Sequence, residues 1–417
     1  MEVEHACPQC GAPVVLAESD RLLSCPFCRV RLYLWSAEVF RYRIPPAPAV
    51  NGRSDLVYVP YGRFRGMVFD LEEPDQGKER VLDTSFLAAP AALYPITLGL
   101  RPQTLKLRPA FFSSADRCLA TRIAPEHRPL LGVQTPSRPD TPPSRPQRRT
   151  TVTVGEVRSL IYAPFFEKRG RWHDGVLNTP LGEAPAGSPP PEYLPEAEKP
   201  WDLHFIPTLC PDCGWDLAGV SESCLLFCPQ CRSGWEPGES ELQRFSFFSQ
   251  PVPPGRDDYF FLPFWHFELP YAPADYFRLP FSRLLGLQAG QSPPWQREHG
   301  RGDYWVPAFK ISPRVFLRLA RTATQAPGAE TDLAPLLPER HHPVTLPAAE
   351  AQRCIEVIQA CLDREAIVLE SSRPRIEDGD WEKRLVFIPF LDTAYELIQP
   401  RSRLGISKNC LNLGKYI

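Results

Sequence analysis

Eight of the thirteen cysteines in this 417-residue chain fall into two sets that share one spacing. Cys7, Cys10, Cys25 and Cys28 read C-x2-C-x14-C-x2-C, and so do Cys210, Cys213, Cys228 and Cys231. No other feature restricts the fold as tightly, because the spacing has a use only if four sulfurs converge. A tetrahedral cation takes four thiolates, and two C-x2-C knuckles on facing hairpins supply them. Pro8, Pro26, Pro211 and Pro229 sit inside the pairs and set the bend, while Gly11 and Gly214 let a backbone amide come close to a thiolate. A redox dithiol would stand alone at a helix start, and a disulfide framework belongs to a much smaller secreted chain. The expected ion is Zn2+, two per chain. Four thiolates leave no position open for water, so the expected contribution is to folding, on the order of 10 kcal/mol per site. Cys224 and His5 lie close to the two sets, but the matched spacing selects Cys228 and already fills the first shell, so both are read as bystanders.

The repeat extends past the cysteines. Each ligand of the second set lies 203 positions after its counterpart, and "YVPYGRFRG" from Tyr58 meets "FLPFWHFEL" from Phe261 at the same offset. Pro60 then matches Pro263, Tyr61 matches Phe264 and Phe64 matches Phe267. A looser match joins the stretch from Tyr94 to that from Trp305, and another joins Pro164 in "LIYAPFFEKRG" to Pro389 in "LVFIPFLDTAY". These matches predict a tandem duplication. The predicted class is α+β, mostly β, each half being a four-cysteine ribbon followed by a module of aromatic-x-Pro-aromatic phrases. Proline inside an apolar run suits edge strands, strand starts or bulges. Alternation at Val57, Val59 and Tyr61, and at Phe387, Pro389 and Leu391, points the rings to one face, to pack between sheets or against a ribbon.

The knuckles resemble the zinc-ribbon family, over about thirty residues per copy. With the "FLPFWHF" phrase, the chain is similar to poorly characterised bacterial zinc-ribbon proteins that carry Y-x-P-[FW]-W phrases, here in two copies. The first half has Gly62 where the second has Trp265, which implies divergence, with an original surface kept in one half. Rubredoxins use related knuckles for iron, with the pairs further apart, which makes iron the second choice.

The expected organisation is ribbon 1 over residues 1–36, a β-rich module over 37–181, a linker at 182–203, ribbon 2 over 204–237 and an α+β module over 238–417. A Pro-rich, basic insertion at 134–149 has no apolar periodicity and reads as an extended loop, after which "TTVTVGEVRSLIYAPFF" should return to the first module as strand. With 50 prolines, long helices should be few. One is expected from Pro347, with Cys354, Ile355, Ile358, Cys361 and Leu362 on a buried stripe, and another from Ser312 with a basic outer face. No apolar run reaches the ~18 residues of a membrane helix and no signal peptide is visible, so a cytoplasmic protein without membrane insertion is expected.

Catalytic punctuation is sparse: the chain has no phosphate loop, dinucleotide fingerprint, H-E-x-x-H or nucleophile elbow. His173 and Asp174 could form an acid–base pair or a polar turn. His341 and His342 are adjacent in a Pro-flanked loop, and His266 lies among aromatics as a core or rim residue. The leading expectation is a non-enzymatic scaffold or adaptor with a protein partner. Nucleic-acid binding is the alternative, carried by Arg101, Lys106, Arg108 and Arg117, against an acidic second ribbon (Asp212, Asp216, Glu222, Glu236, Glu239) and a net charge of −2. An enzyme with a site between the modules is the third reading.

Overall fold

A computed structural model describes residues 1–72, 78–90, 93–113, 115–123, 149–182, 201–252, 258–269, 302–325, 333–366, 382–402 and 404–414, with isolated positions His127, Leu130, Tyr193, Gly255 and Arg256. The insertion at 134–149 (Arg149 apart) and the linker at 182–203, apart from Gly182, Tyr193 and Trp201 to Leu203, lie outside the described residues. The class is the expected α+β, mostly β.

The first half runs β1 (Glu2–Ala6), β2 (Pro13–Ala17), β3 (Leu22–Ser24), β4 (Arg31–Trp35), β5 (Phe40–Arg43), β6 (Val57–Glu72), β7 (Lys78–Leu87), α1 (Arg101–Thr104), β8 (Arg108–Pro109), β9 (Arg117–Cys118), β10 (Arg149–Lys168) and β11 (Arg171–Asp174). The second runs β12 (His204–Pro207), β13 (Leu226–Phe227), β14 (Gly234–Pro237), β15 (Leu242–Phe245), β16 (Phe247–Ser249), β17 (Tyr259–Leu269), β18 (Gly302–Pro307), α2 (Pro313–Gln325), α3 (Ala348–Ala366), β19 (Glu382–Asp392), β20 (Glu396–Ile398), β21 (Gly405–Ser407) and α4 (Lys408–Leu413).

Strand register repeats between the halves. In the ribbons, Leu23↔Leu32 and Ser24↔Arg31 on β3–β4 recur as Leu226↔Trp235 and Phe227↔Gly234 on β13–β14. In the modules, β6 pairs antiparallel with β10 through Tyr58↔Pro164 and Tyr61↔Ile161, and β17 pairs with β19 through Phe261↔Pro389 and Phe264↔Val386. The far edge of β10 takes β5 in parallel and then β11 antiparallel, and β19 takes β16 and then β20 in the same way. Thus the matches at Tyr58/Phe261 and Pro164/Pro389 are structural equivalences. The match of Tyr94 to Trp305 is not. The partner of β6 is β7, with Tyr61↔Leu87, and the partner of β17 is β18, with Phe264↔Pro307, so "SFLAA" at 85–89 is what corresponds to "WVPAF" at 305–309.

The recurrent prolines have a common placement. Pro60 and Pro263 accept hydrogen bonds from the amides of Ala88 and Ala308, one residue beyond the last ladder pair of the neighbouring strand. Pro164 lies between the end of β5 pairing at Tyr162 and the start of β11 pairing at Phe165, and Pro389 lies likewise between Phe387 and Leu391. Within a strand, N and O of one residue point to the same side, so each missing N–H falls where a partner strand has stopped. Proline here sits inside central strands without costing a ladder bond, in gaps rather than at edges, which extends the general rule.

The rings and branched residues of these strands are core. Val57, Val59 and Tyr61 pack with Cys7 and Cys25, so the first sheet is laid against ribbon 1 as the alternation implies. A small core of Leu22 and Tyr33 with Ile206, Leu217, Leu226 and Trp235 joins ribbon 1 to ribbon 2, where β12 pairs antiparallel with β4. The equivalent positions Ser19 and Glu222 meet there at 3.5 Å. The outer ends of β6 and β10 contribute Met67, Phe69, Val152 and Val154 to the core of the second half, beneath α2 and α3. A register shift at Gly155 leaves its N–H to the Glu350 carboxylate on α3 at 3.0 Å, beside Arg158 at 3.3 Å. The helices are where periodicity puts them. On α3, Cys354, Ile355 and Ile358 are buried and Cys361 is partly so, while the side chain of Leu362 lies outside the described residues. On α2, Arg314 and Arg318 face solvent.

Candidate metal centres

Each quartet is assembled by two tight knuckles built by the same four backbone hydrogen bonds. In the first, Cys7 N–H donates to Ala12 O and Gly11 N–H to Cys7 O, and Cys25 and Arg29 repeat this with Val30 and Cys25. In the second, Cys210, Gly214, Cys228 and Arg232 do so with Trp215, Cys210, Ser233 and Cys228. The fifth residue of every knuckle has a left-handed backbone: φ is 73° at Gly11, 62° at Arg29, 74° at Gly214 and 62° at Arg232. Glycine adopts this freely, whereas arginine does so at a cost of about 1–2 kcal/mol, which ligation can offset.

The sulfurs converge. Sγ of Cys7 lies 3.7 Å from that of Cys28, and Cys10 lies 3.7 Å from Cys25. In the second quartet Cys210 and Cys231 are 3.6 Å apart, and Cys213 and Cys228 are 3.4 Å apart. Within each set all four ligand atoms lie within 4.8 Å of one another. A tetrahedron with metal–sulfur bonds of ~2.3 Å has edges of about 3.8 Å, so the donor set suits a four-coordinate cation. All eight predicted ligands are therefore placed in groups that can hold a metal ion.

Electrostatics also asks for a cation. Amide hydrogen bonds from Cys28 and Phe27, with the neighbouring thiols, pull Cys25 down to about 7; at Cys28 the Val30 amide lowers the thiol, but desolvation and the sulfurs of Cys10, Cys25 and Cys7 outweigh it and push it up to about 12. Burial opposes ionisation of Cys210, but the Ser233 hydroxyl and the amides of Cys213 and Asp212 outweigh it and bring the thiol down to about 6. Cys213 is pushed up to about 12. Four sulfurs so close cannot all ionise unless a positive charge sits among them. Ser233, whose Oγ lies 3.0 Å from Cys231 Sγ and 3.5 Å from Cys210 Sγ, was not foreseeable from the repeat, since Val30 occupies that place in the first ribbon.

The other singled-out residues stay outside these centres. Cys224 is a half-buried thiol that donates to Val344 O at 3.3 Å, and desolvation raises it to about 12. His5 is buried with its ring edge toward Phe205, and burial lowers it to about 4. Asp174 is fully buried, accepting from the amides of Val176 and Leu177 and pairing with Arg101, while His173 stacks on Phe166. Both lie on β11, where neighbouring side chains point to opposite faces, so they do not form an acid–base pair. His266 is core, stacked on Trp305. The basic stretch is divided: Arg101 goes to Asp174, Lys106 to Glu2, Arg108 to Glu4, and Arg117 lies over Tyr193. Among the described residues no helix is long and apolar enough to cross a membrane. No family profile, no curated protein and no solved structure matches this chain.

Proposed function

We propose that this protein is a non-enzymatic interaction scaffold held in shape by two structural zinc ions, one in each four-cysteine ribbon of a duplicated chain. The observation that carries the reading is the pair of four-cysteine groups, each with its ligand atoms within 4.8 Å of one another. Each offers four sulfurs, with no fifth His, Cys, Asp or Glu donor joining the group among the described residues, a shell suited to holding a fold rather than activating water. None of the thirteen cysteines is joined in a disulfide, which suits the reducing cytoplasm. Large apolar side chains stand out beside the knuckles, Phe27 at 68% and Trp215 at 56% exposed. Rings of this kind are enriched in protein interfaces, so we place the partner's contact there. The division of the basic stretch among Asp174, Glu2, Glu4 and Tyr193 puts nucleic acid second.

Metal analysis of the purified chain should find two zinc ions; iron, or a single ion, counts against the reading. A Phe27→Ser/Trp215→Ser variant should keep both ions and the wild-type circular dichroism while losing partners recovered from the native cell by the wild type. An unchanged partner set would remove the ribbon tips from the proposal, and a salt-dependent shift of labelled DNA or RNA would promote the nucleic-acid reading.

A further inference from the structure

A cavity of about 780 Å³ opens on one face of the β6–β7 pair. Its floor carries Arg63 and Arg65 on β6, opposite Ser85 and Asp83 on β7, and Lys106 stands at its side. Small-molecule sites commonly measure ~300–1,000 Å³. The second half shows what would otherwise fill it. The register that pairs Arg63 with Ser85 pairs His266 with Trp305, and there the two rings lie stacked, 4.4 Å between centroids and fully buried. With a hydroxymethyl in place of the indole, and a guanidinium in place of the imidazole, the first half has space and positive charge where the second has packed rings.

Arg63 is only 4% exposed. Its Nε faces the buried Glu18 carboxylate at 3.4 Å, and Glu18 accepts from Ser159 Oγ at 2.7 Å. Its Nη1 donates to the carbonyls of Phe64 at 2.9 Å and Thr84 at 3.2 Å and pairs with Asp83. The Phe64 and Thr84 carbonyls thus anchor the guanidinium, with the Glu18 charge beside it on the inner side, whereas the Asp83 side chain is 61% exposed at the rim. An exposed carboxylate is weakly held and can be replaced by another anion. Arg65 and Lys106 would flank that anion, and Ser85, whose Oγ accepts from the Leu98 amide at 3.0 Å, keeps its own proton to donate. Three cationic side chains line the cavity against Asp83 and Glu2. No aromatic side chain is among the described lining residues, so nothing there selects a base or other ring.

We infer that this cavity binds a small non-aromatic anion, phosphate- or carboxylate-bearing, which displaces Asp83 from Arg63. The arginine fork suits either oxyanion. The inference stands apart from the partner-binding reading. Isothermal titration of the purified full chain with inorganic phosphate and, separately, with citrate tests it. Saturable binding is expected in at least one arm, and which arm responds names the oxyanion. Arg65→Gln should weaken binding about tenfold or more. Asp83→Asn should tighten it. Ser85→Trp, importing the filler of the second half, should abolish it while metal content and circular dichroism stay as in the wild type. Wild-type chain that binds neither anion overturns the inference, as does binding that persists unchanged in both Arg65→Gln and Ser85→Trp. Unchanged or weaker binding by Asp83→Asn overturns the displacement.

Discussion

On the second strand of each sheet, Gly62 faces Phe86 across the ladder in the first half, whereas Trp265 faces Val306 in the second. A Cβ at Gly62 would lie 2.3 Å from Phe86 Cζ, so the phenyl ring occupies the space that a side chain on β6 would need. In the second half the ring comes from the other strand: Trp265 is 1% exposed, and its indole N–H donates to Leu346 O at 2.8 Å. The halves therefore fill one layer from opposite strands. What recurs between them is backbone register; which strand carries the bulk is free to switch provided its partner yields. The difference between Gly62 and Trp265 thus lies within a core in both halves, with Phe86 and Trp265 both buried.

The ribbons differ in what supports them, and this sets the largest predicted effect. Cys7 and Cys25 belong to the core of the first sheet, whereas Cys210 and Cys228 belong to the small core shared with ribbon 1. Ribbon 2 also leans on β4 through β12, with Arg31 donating to Leu217 O at 3.2 Å. Breaking ribbon 1 should take ribbon 2 with it, while ribbon 1 keeps its own sheet if ribbon 2 fails. Zinc measured per chain should fall to about one ion in Cys228→Ser and to nearly none in Cys25→Ser. A structural site contributes on the order of 10 kcal/mol against a total stability of ~5–15 kcal/mol, so neither loss is buffered. One ion left in both variants would make the ribbons independent.

The exchange across the ladder gives effects of intermediate size. Trp265→Ala should cost about 3–5 kcal/mol in denaturant unfolding, from the cavity it leaves and the lost bond to Leu346. Gly62→Ala should cost about 1–3 kcal/mol, by forcing Phe86 aside. The comparison sharpens with Gly62→Trp, which alone is overpacked. Adding Phe86→Val reproduces the arrangement of the second half and should recover a good part of the loss, as a favourable coupling in a double-mutant cycle. Additive losses would mean that the two layers are not equivalent.

The cysteine spacing and the Pro-bearing phrases made the ribbons, the central strands and both longer helices legible, because each is a local pattern with a short-range cause. The equivalence of β7 with β18 was not legible. "SFLAA" has lost the proline and tryptophan of "WVPAF", so similarity passed to the next phrase that kept a Tyr-Pro, at Tyr94, although only register decides which strand lies beside β6. The union of the ribbons through β4 and β12 left no mark either, since nothing in Arg31–Trp35 or His204–Pro207 names a partner so far away in the chain. Nor did the cavity, which exists through the absence of bulk at Ser85 and appears only when Trp305 is seen in the same place. The metal ligands were visible one by one; the burial of Asp174 against Arg101 needed contacts between residues far apart in the chain.

The smallest effect concerns pH and again contrasts the halves. His341 bridges to Phe261 in parallel, and His342 donates its backbone N–H to Phe261 O; in the first half Cys118 and Leu119 do the same with Tyr58. The imidazoles are held between rings, His341 against Phe227 and Phe387 and His342 against Phe309. Their Nδ1 atoms lie 2.7 Å from Pro338 O and 2.9 Å from Pro343 O. Burial lowers both below the ordinary 6.5, against a smaller opposing pull from those carbonyls. Between the lowered value and 6.5 the unfolded chain binds protons that the folded chain refuses, so stability rises with pH across that window. It is complete above the window and is lost as the solution is acidified through it. A His341→Cys/His342→Leu variant, carrying the residues of the first half, should lose less stability than the wild type over the same acidification, measured as the shift in urea midpoint. Protonation of the thiolates is common to both chains and cancels in the difference, so equal slopes would show that these two rings do not couple folding to protons.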